Sequence, residues 1–205
     1  EYYWDRIRLG HESYPLPFVD RVIYRIIKDE ATYLTALRTG QLDILEAIRW
    51  IAVDHLKKTT PELQWNRYLA TGGQFISLRV DQKPFDDIRV RRAMNLAVNQ
   101  QEIVDHFYGG HAELMAYPQH PEFGEYFEPL EAMPDGVQEL FTHDPEEARR
   151  LLDEAGVPEG FSFDLQVCSC SPSHMDLVPL LESYFAQVGL KTNIQTMEYA
   201  SFLSA

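Results

Sequence analysis

Histidine and acidic side chains near position 110 are the first residues whose types could do chemistry, because imidazole and carboxylate groups bind metal ions. The group comprises Asp105, His106, His111, Glu113 and His120. The five-residue step from His106 to His111 crosses Gly109-Gly110 and does not match the spacing of a zinc-protease helix. We therefore expect no metal ion and no cofactor, and interpret these histidines as ordinary surface or core residues.

Serines and arginines are the other candidates for reactive or anion-binding groups. The serines considered as nucleophiles are Ser171, Ser173 and Ser201. They lack a nucleophile elbow and any sequence sign of an activating base. The arginines at a predicted helix start are Arg89, Arg91 and Arg92. We interpret them as solvated side chains or as partners of neighbouring aspartates, and we expect no enzymatic activity.

The two cysteines, Cys168 and Cys170, lie two positions apart on a predicted strand. Side chains at this spacing share a face of the strand but diverge along it, so a disulfide between them is geometrically poor. We interpret both cysteines as small buried hydrophobic residues. They therefore do not indicate a redox compartment.

A tyrosine and a glycine-rich turn are the candidates for ligand contact. Tyr68 lies in a predicted extended run, and Gly72, Gly73 and Gln74 interrupt that run shortly afterwards. Glycine permits close approach of a ligand backbone, and an extended peptide can pair with a strand edge. The alternatives are that the two glycines form a bulge and that Tyr68 belongs to the core.

The composition limits the classes of partner. The chain has 205 residues, with 18 Lys and Arg against 32 Asp and Glu, and a net charge of −14. Residues 67–205 hold 9 basic and 22 acidic side chains, so nearly all of this charge lies there. An acidic chain repels nucleic acid and anionic membrane surfaces. No apolar run is long enough to span a bilayer, so we expect no direct membrane insertion.

Hydrophobic periodicity predicts alternating strands and helices. Predicted strands are Arg21–Ile27, Leu42–Leu45, Leu63–Leu69, Phe75–Val80, Phe161–Val167 and Lys191–Met197. Predicted helices are Glu30–Thr39, Ile51–Lys58, one from Ile88 to Val98 after an Asp86 or Asp87 cap, Gln100–Phe107, one after the Asp144-Pro145 cap, and Met175–Gln187. Between His111 and His143, four prolines and the absence of a sustained period predict a long surface loop.

The run from Pro84 to Val104 reads Pro-Phe-Asp-Asp-Ile-Arg-Val-Arg-Arg-Ala-Met-Asn-Leu-Ala-Val-Asn-Gln-Gln-Glu-Ile-Val. It closely resembles the signature of the extracellular solute-binding proteins of family 5, the peptide-, oligopeptide- and nickel-binding receptors of ABC importers. Gln100 or Gln101 stands where that family usually has Arg or Lys, and Asn99 stands for the commoner Asp. The Asp144–Gly156 and Ala31–Ile44 segments resemble further elements of the same family, so the resemblance extends over nearly the whole chain.

The resemblance implies an α/β, periplasmic-binding-protein-like (type II) fold with two lobes, of which the chain holds a part. Residues 1–66 would be a partial segment of lobe I with the crossover, and residues 67–205 the N-terminal part of lobe II. The change in charge balance falls at the same place. Because the family is exported and no signal segment begins the chain, we expect the sequence to be an internal fragment.

The resemblance also implies a function. Such a receptor captures a small solute, here a di- or oligopeptide, between its lobes for delivery to a membrane permease. An aromatic residue at the position of Tyr68 lies near the ligand in oligopeptide receptors, and His174 lies in the segment that holds the ligand carboxylate. The arginine that dipeptide receptors use in this area is missing. The alternatives are a nickel or metal-complex receptor and a non-transporting peptide sensor. The expected location is periplasmic or extracellular, with lipid anchoring left open.

Overall fold

The computed structural model describes residues 5–69, 73–114 and 121–204. The chain divides into two compact units, Glu1–Ala47 and Ile48–Ala205. The predicted lobe division near residue 66 falls inside the second unit. It concerns the lobes of a complete receptor and stays a prediction. None of the described helices is both long enough and apolar enough to cross a membrane.

The first unit contains a hairpin and one helix. Strands β1 (Arg6–Leu9) and β2 (Glu12–Pro15) pair antiparallel. Helix α1 (Glu30–Arg38) begins where the Asp29 side chain accepts a hydrogen bond from the Thr32 amide at 2.8 Å. The helix is followed by Gly40, whose φ of +69° is a left-handed conformation that glycine adopts without a steric penalty. The predicted helix Glu30–Thr39 is therefore confirmed to within one residue.

The four predicted strands before residue 81 are irregular in the structure, and this part of the prediction is wrong for the described residues. In the first of them, 21–27, Tyr24 is 90% exposed and Ile26 is 92% exposed. The segments 42–45, 63–69 and 75–80 are irregular as well where they are described. An apolar alternating sequence becomes a strand only when a neighbouring strand satisfies its backbone groups, and the described residues supply none for these segments.

The second unit begins with two helices, of which the second lies within the Pro84–Val104 run. Helix α2 is Trp50–Thr59 and α3 is Ile88–Ala97. Asp87 caps α3, with its carboxylate accepting from the Arg89 amide at 2.8 Å. Ile88, in the first turn of α3, is 61% exposed and does not belong to the buried face of the helix.

A short α-helix that ends as a π-helix follows α3. Helix α4 (Gln100–Glu102) continues into a π-helix, Ile103–Phe107. The Asn99 side chain caps α4 by accepting from the Glu102 amide at 3.0 Å. Gly109 and Gly110 end the segment with φ values of +58° and +74°. The sequence therefore predicted a second helix over Gln100–Phe107, but not its π-helical hydrogen bonding.

The predicted surface loop is made of short helical turns where it is described. They are three 3₁₀ segments, Pro121–Tyr126, Leu130–Ala132 and Glu139–Phe141, and the one-turn helix α5, Asp135–Gln138. Two contacts fix the end of this segment to α3. Arg92 donates to the Glu139 carboxylate at 2.7 Å, and the Asn95 amide donates to the Leu140 carbonyl oxygen.

The C-terminal part is a parallel strand-helix-strand unit. Strand β3 (Ser162–Cys168), helix α7 (Pro172–Gln187) and strand β4 (Lys191–Met197) follow helix α6 (Pro145–Glu154), and α8 (Tyr199–Ser204) comes last. The register places Ser162 opposite Lys191 and Cys168 opposite Met197. Apart from α8, these elements were predicted, because their caps and their hydrophobic periods are local signals.

The core of the second unit lies between α3, α6, α7 and the two-stranded sheet. Phe163 has ring contacts with Phe85 at 5.8 Å and with Phe185 at 5.6 Å, both edge to face. Arg89 links α3 to α6 by donating to the Glu154 carbonyl oxygen at 2.7 Å. The remaining buried members include Val90, Ala93, Met94, Leu96, Ala97, Ala148, Leu151, Leu152, Leu165, Val167, Val178, Val188 and Leu190.

Candidate ligand-binding site

The carboxyl end of β3 and the first turn of α7 form the best-defined candidate region. In parallel strand-helix-strand units, ligands commonly bind beyond the carboxyl ends of the strands. The Ser169 amide donates to the Met197 carbonyl oxygen at 2.8 Å and so extends the strand pairing by one residue. Ser171 caps α7, and its hydroxyl accepts from the His174 amide at 3.4 Å. The half-buried His174 therefore has a fixed backbone in the first turn of a sixteen-residue helix.

An ion pair joins α2 to the same turn of α7. Arg49, the residue before α2, donates to the Asp176 carboxylate. Their side chains are 30% and 56% exposed, so solvent screens the pair and its contribution to stability is small. The pair places the Arg49 guanidinium group beside Asp176, which lies two residues after His174. Sequence reasoning missed this pair because its members are 127 positions apart.

An indole ring packs on the glycine stop of the π-helix. A Cβ placed on Gly109 would lie 3.0 Å from the Trp50 ring, and the His111 ring centroid lies 6.0 Å from that of Trp50. The adjacent Tyr108 hydroxyl is buried and has no hydrogen-bond partner within the described part of the chain. π-helical turns are rare and often occur at functional sites. Trp50 and Tyr108 were not among the predicted ligand residues, and no local sequence signal distinguishes them from core aromatics.

Three of the predicted ligand residues are exposed. Tyr68 is 60% exposed, and Gly73 and Gln74 are exposed as well. Gly72 lies outside the described residues. Within the described ranges, Tyr68, Gly73 and Gln74 form no hydrogen bond or ring contact with His174. The described residues therefore show no contact between His174 and the segment that contains Tyr68, and the ligand role of all five residues stays a prediction.

The two cysteines are bonded to each other, contrary to the expectation from the sequence. Cys168 and Cys170 form a disulfide, with a Cα–Cα distance of 5.1 Å. In a continuous strand, two residues two apart are separated by about 6.6 Å. Strand β3 ends at Cys168 and the chain turns at Ser169, which shortens this distance and points the two sulfurs at each other. Cys168 is buried, as expected, but Cys170 is exposed.

The metal interpretation gains no geometric support from the described residues. Among them, no three side chains of His, Cys, Asp or Glu gather at metal-binding distances. His120 lies outside the described ranges. His111 instead contacts the Trp50 ring, and Asp105 accepts a hydrogen bond from the Gln101 side chain at 2.9 Å.

Two polar links shape the electrostatics of the scaffold. The Tyr184 hydroxyl donates to the Glu102 carboxylate at 2.9 Å and joins α7 to α4. Burial, followed by this hydrogen bond to a carboxylate, raises the pKa of Tyr184 well above its ordinary value, so the phenol stays neutral. At the start of α3, hydrogen bonds from Arg89 lower the pKa of Asp87 to about 2. The capping carboxylate therefore stays ionised under ordinary conditions.

Comparison with known families decides the classification. The model of the family described as bacterial extracellular solute-binding proteins, family 5, Middle, matches residues 1–205. The chain belongs to this family. The family 5 resemblance predicted from the Pro84–Val104 run is thereby confirmed, and α3, with its Asp87 cap, is the structural form of that run.

Curated relatives of this family 5 chain have different named ligands. Heme-binding protein A of Haemophilus influenzae is 29% identical over 203 residues, covering 95% of the chain and 35% of the relative. Di/tripeptide-binding protein 1 of Pseudomonas aeruginosa is 30% identical over 189 residues, covering 90% of the chain and 34% of the relative. The chain thus spans about a third of the length of these relatives.

A solved structure confirms the fold class. The ABC transporter-associated periplasmic binding protein DppA from Helicobacter pylori, in complex with the peptide STSA, matches with a TM-score of 0.70 and 25% identity. The match covers 87% of this chain and 33% of that protein. The predicted α/β, periplasmic-binding-protein-like fold, present in part, is therefore correct.

Proposed function

We propose that this chain is the middle part of the substrate-binding component of an ABC importer. The complete receptor captures a di- or oligopeptide between two lobes and delivers it to a membrane permease. The observation that carries the proposal is the family 5 match over residues 1–205, together with the peptide-bound DppA structure of the same fold. A receptor of this kind uses binding energy to close its lobes and catalyses no reaction.

Peptide is the favoured ligand class for two reasons. A relative of 30% identity is named for di- and tripeptides, and the matched DppA structure holds a peptide. Tyr68 and Gln74 are exposed in irregular segments, and a peptide can pair with backbone groups there in a strand-like manner. The heme named for another relative and the nickel complexes of our alternative are the competing ligand classes.

The proposed contacts divide between backbone and side-chain recognition. Gly72 and Gly73 allow the peptide backbone to approach closely, while Tyr68 and Gln74 offer a ring and an amide. His174 interacts with the peptide carboxylate from the first turn of α7, where helix amides add positive potential. The nearby Arg49–Asp176 pair keeps a guanidinium group beside this turn.

The remaining features of the proposal concern the complete protein. Residues 1–66 belong to lobe I and the crossover, and residues 67–205 belong to lobe II. The family description places such receptors outside the cytoplasm, so the complete protein would act in the periplasm or at the cell exterior, with or without a lipid anchor. Its partners are the peptide and the permease. The net charge of −14 disfavours nucleic acid as a partner.

Isothermal titration calorimetry of the complete receptor tests the ligand class. Peptides of two to five residues, nickel-histidine complexes and heme are titrated separately under the same conditions. We expect peptides to bind with at least about tenfold higher affinity than the other two classes, which corresponds to about 1.4 kcal/mol. Tight binding of heme or of the nickel complex, with no heat from any peptide, would overturn the proposal.

Two pairs of variants test the proposed contacts. Tyr68→Ala should weaken peptide binding about tenfold, whereas Tyr126→Ala, at a tyrosine that is 71% exposed, should leave it unchanged. His174→Ala should weaken binding of a peptide with a free carboxylate but not of its C-terminal amide. His55→Ala, an exposed histidine on α2, is the control. Equal losses for the acid and the amide would show that His174 does not recognise the carboxylate.

A further inference from the structure

The disulfide at the end of β3 joins two cysteines with different surroundings. It bridges a single residue, Ser169, at the point where the chain leaves the sheet. Cys168 is only 4% exposed, whereas Cys170 is exposed. We propose that this disulfide is a thiol-exchange site at which Cys170 undergoes reversible thiolation by a low-molecular-weight thiol. The proposal does not depend on which ligand the receptor binds.

Access selects the sulfur that is attacked. Thiol-disulfide exchange requires a thiolate to approach one sulfur of the bond, and exposed disulfides are the ones that exchange readily. The packing around Cys168, which lies opposite Met197 in the sheet, blocks approach to its sulfur. An external thiolate therefore reaches the sulfur of Cys170.

A backbone hydrogen bond stabilises the leaving sulfur. The Cys170 amide donates to Cys168 Sγ at 3.2 Å. A hydrogen bond to a thiolate favours its charged form and makes it a better leaving group, which opposes the effect of burial on the Cys168 thiol. The start of α7 at Pro172 adds the partial positive charge of a helix N-terminus nearby.

The exchange step is balanced without an external oxidant. The thiolate of the small molecule forms a bond to the sulfur of Cys170 as the protein S–S bond breaks, and the electron pair of that bond leaves on Cys168 as a thiolate. One disulfide is exchanged for another, so there is no net oxidation. Attack of the Cys168 thiolate on the mixed disulfide reverses the step. Attack of a second small thiolate on the mixed disulfide instead releases the small-molecule disulfide and leaves a protein dithiol.

The backbone around the site is fixed independently of the S–S bond. The Ser169 amide and hydroxyl both donate to the Met197 carbonyl oxygen, at 2.8 and 3.2 Å, and the Ser171 amide donates to the Cys168 carbonyl oxygen at 3.3 Å. A bond that closes so short a loop also removes little chain entropy. Opening it should therefore leave the fold intact and keep the two sulfurs close enough to reform the bond.

Peptide mapping by mass spectrometry tests the proposal on the complete, oxidised receptor. The native protein is treated with cysteamine or with reduced glutathione, quenched with acid and alkylated. We expect the mixed disulfide on Cys170 and the alkyl group on Cys168, with an unchanged circular dichroism spectrum. An adduct mainly on Cys168 would overturn the proposal. So would the absence of both adduct and free thiol at a thiol concentration that opens a Cys-Ser-Cys disulfide peptide.

Single-cysteine variants give a second measurement of the same asymmetry. With cystamine as the reagent, Cys170 in the Cys168→Ser variant should be thiolated at least about tenfold faster than Cys168 in the Cys170→Ser variant. Equal rates, or faster reaction at Cys168, would contradict the proposal. Circular dichroism establishes that each variant is folded. If Cys168→Ser does not fold, the mapping of the wild-type protein still decides between the two sulfurs.

Discussion

Replacement of Leu96 by alanine perturbs the last turn of the signature helix α3. Leu96 is 1% exposed and belongs to the core shared with α6 and the sheet. Its carbonyl oxygen also accepts from the Asp144 amide, the cap of α6, at 3.0 Å. Alanine is the best helix former, so Leu96→Ala leaves the helix and this backbone bond in place and removes only packing.

The expected loss follows from the buried carbons. Leu→Ala removes three carbon atoms, which at about 0.8 kcal/mol for each buried methylene gives about 2.4 kcal/mol. The unfilled cavity adds to this loss, so the free energy of unfolding should fall by about 2–5 kcal/mol. The matched control is Leu203→Ala on α8. Leu203 is 68% exposed, so about a third of the same transfer free energy, below about 1 kcal/mol, should be lost.

Urea unfolding of the complete receptor, followed by circular dichroism and tryptophan fluorescence, measures both variants. The account predicts a large loss for Leu96→Ala and a small one for Leu203→Ala, with similar dependence on denaturant. A loss below about 1 kcal/mol for Leu96→Ala would refute the assignment of α3 to the core, since truncation of a fully buried leucine lowers the free energy of unfolding by more than this. Equal losses for the two variants would refute the difference in burial.

Three further predictions follow from single contacts. Gly109→Ala should destabilise the protein by about 1–3 kcal/mol more than Gly110→Ala, measured by urea unfolding. Both glycines have positive φ, but only at Gly109 would a Cβ meet an indole ring, at 3.0 Å, so equal losses would contradict the Trp50 contact. The raised pKa of Tyr184 means that the unfolded state releases its phenolic proton first, so wild-type stability should fall as the pH rises above about 10. Tyr184→Phe should show a weaker decline between about pH 9 and pH 11, and an identical decline would argue against the Glu102 contact. The lowered pKa of Asp87 means that stability is present above about pH 4 and is lost as the pH falls toward 2. Asp87→Asn, which keeps a capping oxygen, should lose less stability at low pH, measured as the urea midpoint. If the variant loses as much stability at low pH as the wild type, the Arg89 interaction is not the source of the loss.

Helices with local caps were the part of the fold that the sequence predicted best. The Asp87 cap of α3 and the Asp144 cap of α6 lie where the sequence indicates, and Lys191–Met197 is a strand with the predicted bounds. Each of these signals lies within a few residues of the element that it defines. The π-helix after Glu102 was not predictable, because no residue pattern specifies its hydrogen bonding.

Strands and cysteines show where local reasoning fails. The apolar alternation of 21–27 predicts a strand, but strand formation depends on a partner that no local pattern supplies, and Ile26 remains 92% exposed. The Cys168–Cys170 disulfide was not expected because side chains two residues apart on a continuous strand diverge along it. The chain turns at Ser169 and brings the two sulfurs together, and the sequence gives no sign of that turn.

The candidate site was predictable only where a family pattern exists. His174 was located through its segment, and the structure places it in the capped first turn of α7. The Arg49–Asp176 pair and the packing of Trp50 on Gly109 depend on contacts between distant parts of the sequence. Such contacts follow from the packing of helices and have no local signature.

Native mass spectrometry of the complete receptor, purified with whatever ligand it holds from the cell, tests the central claim most directly. The account predicts a bound mass that fragments into amino-acid residues and whose occupancy is lower in the Tyr68→Ala variant but unchanged in Tyr126→Ala. A bound heme or a nickel complex in place of a peptide would contradict the account.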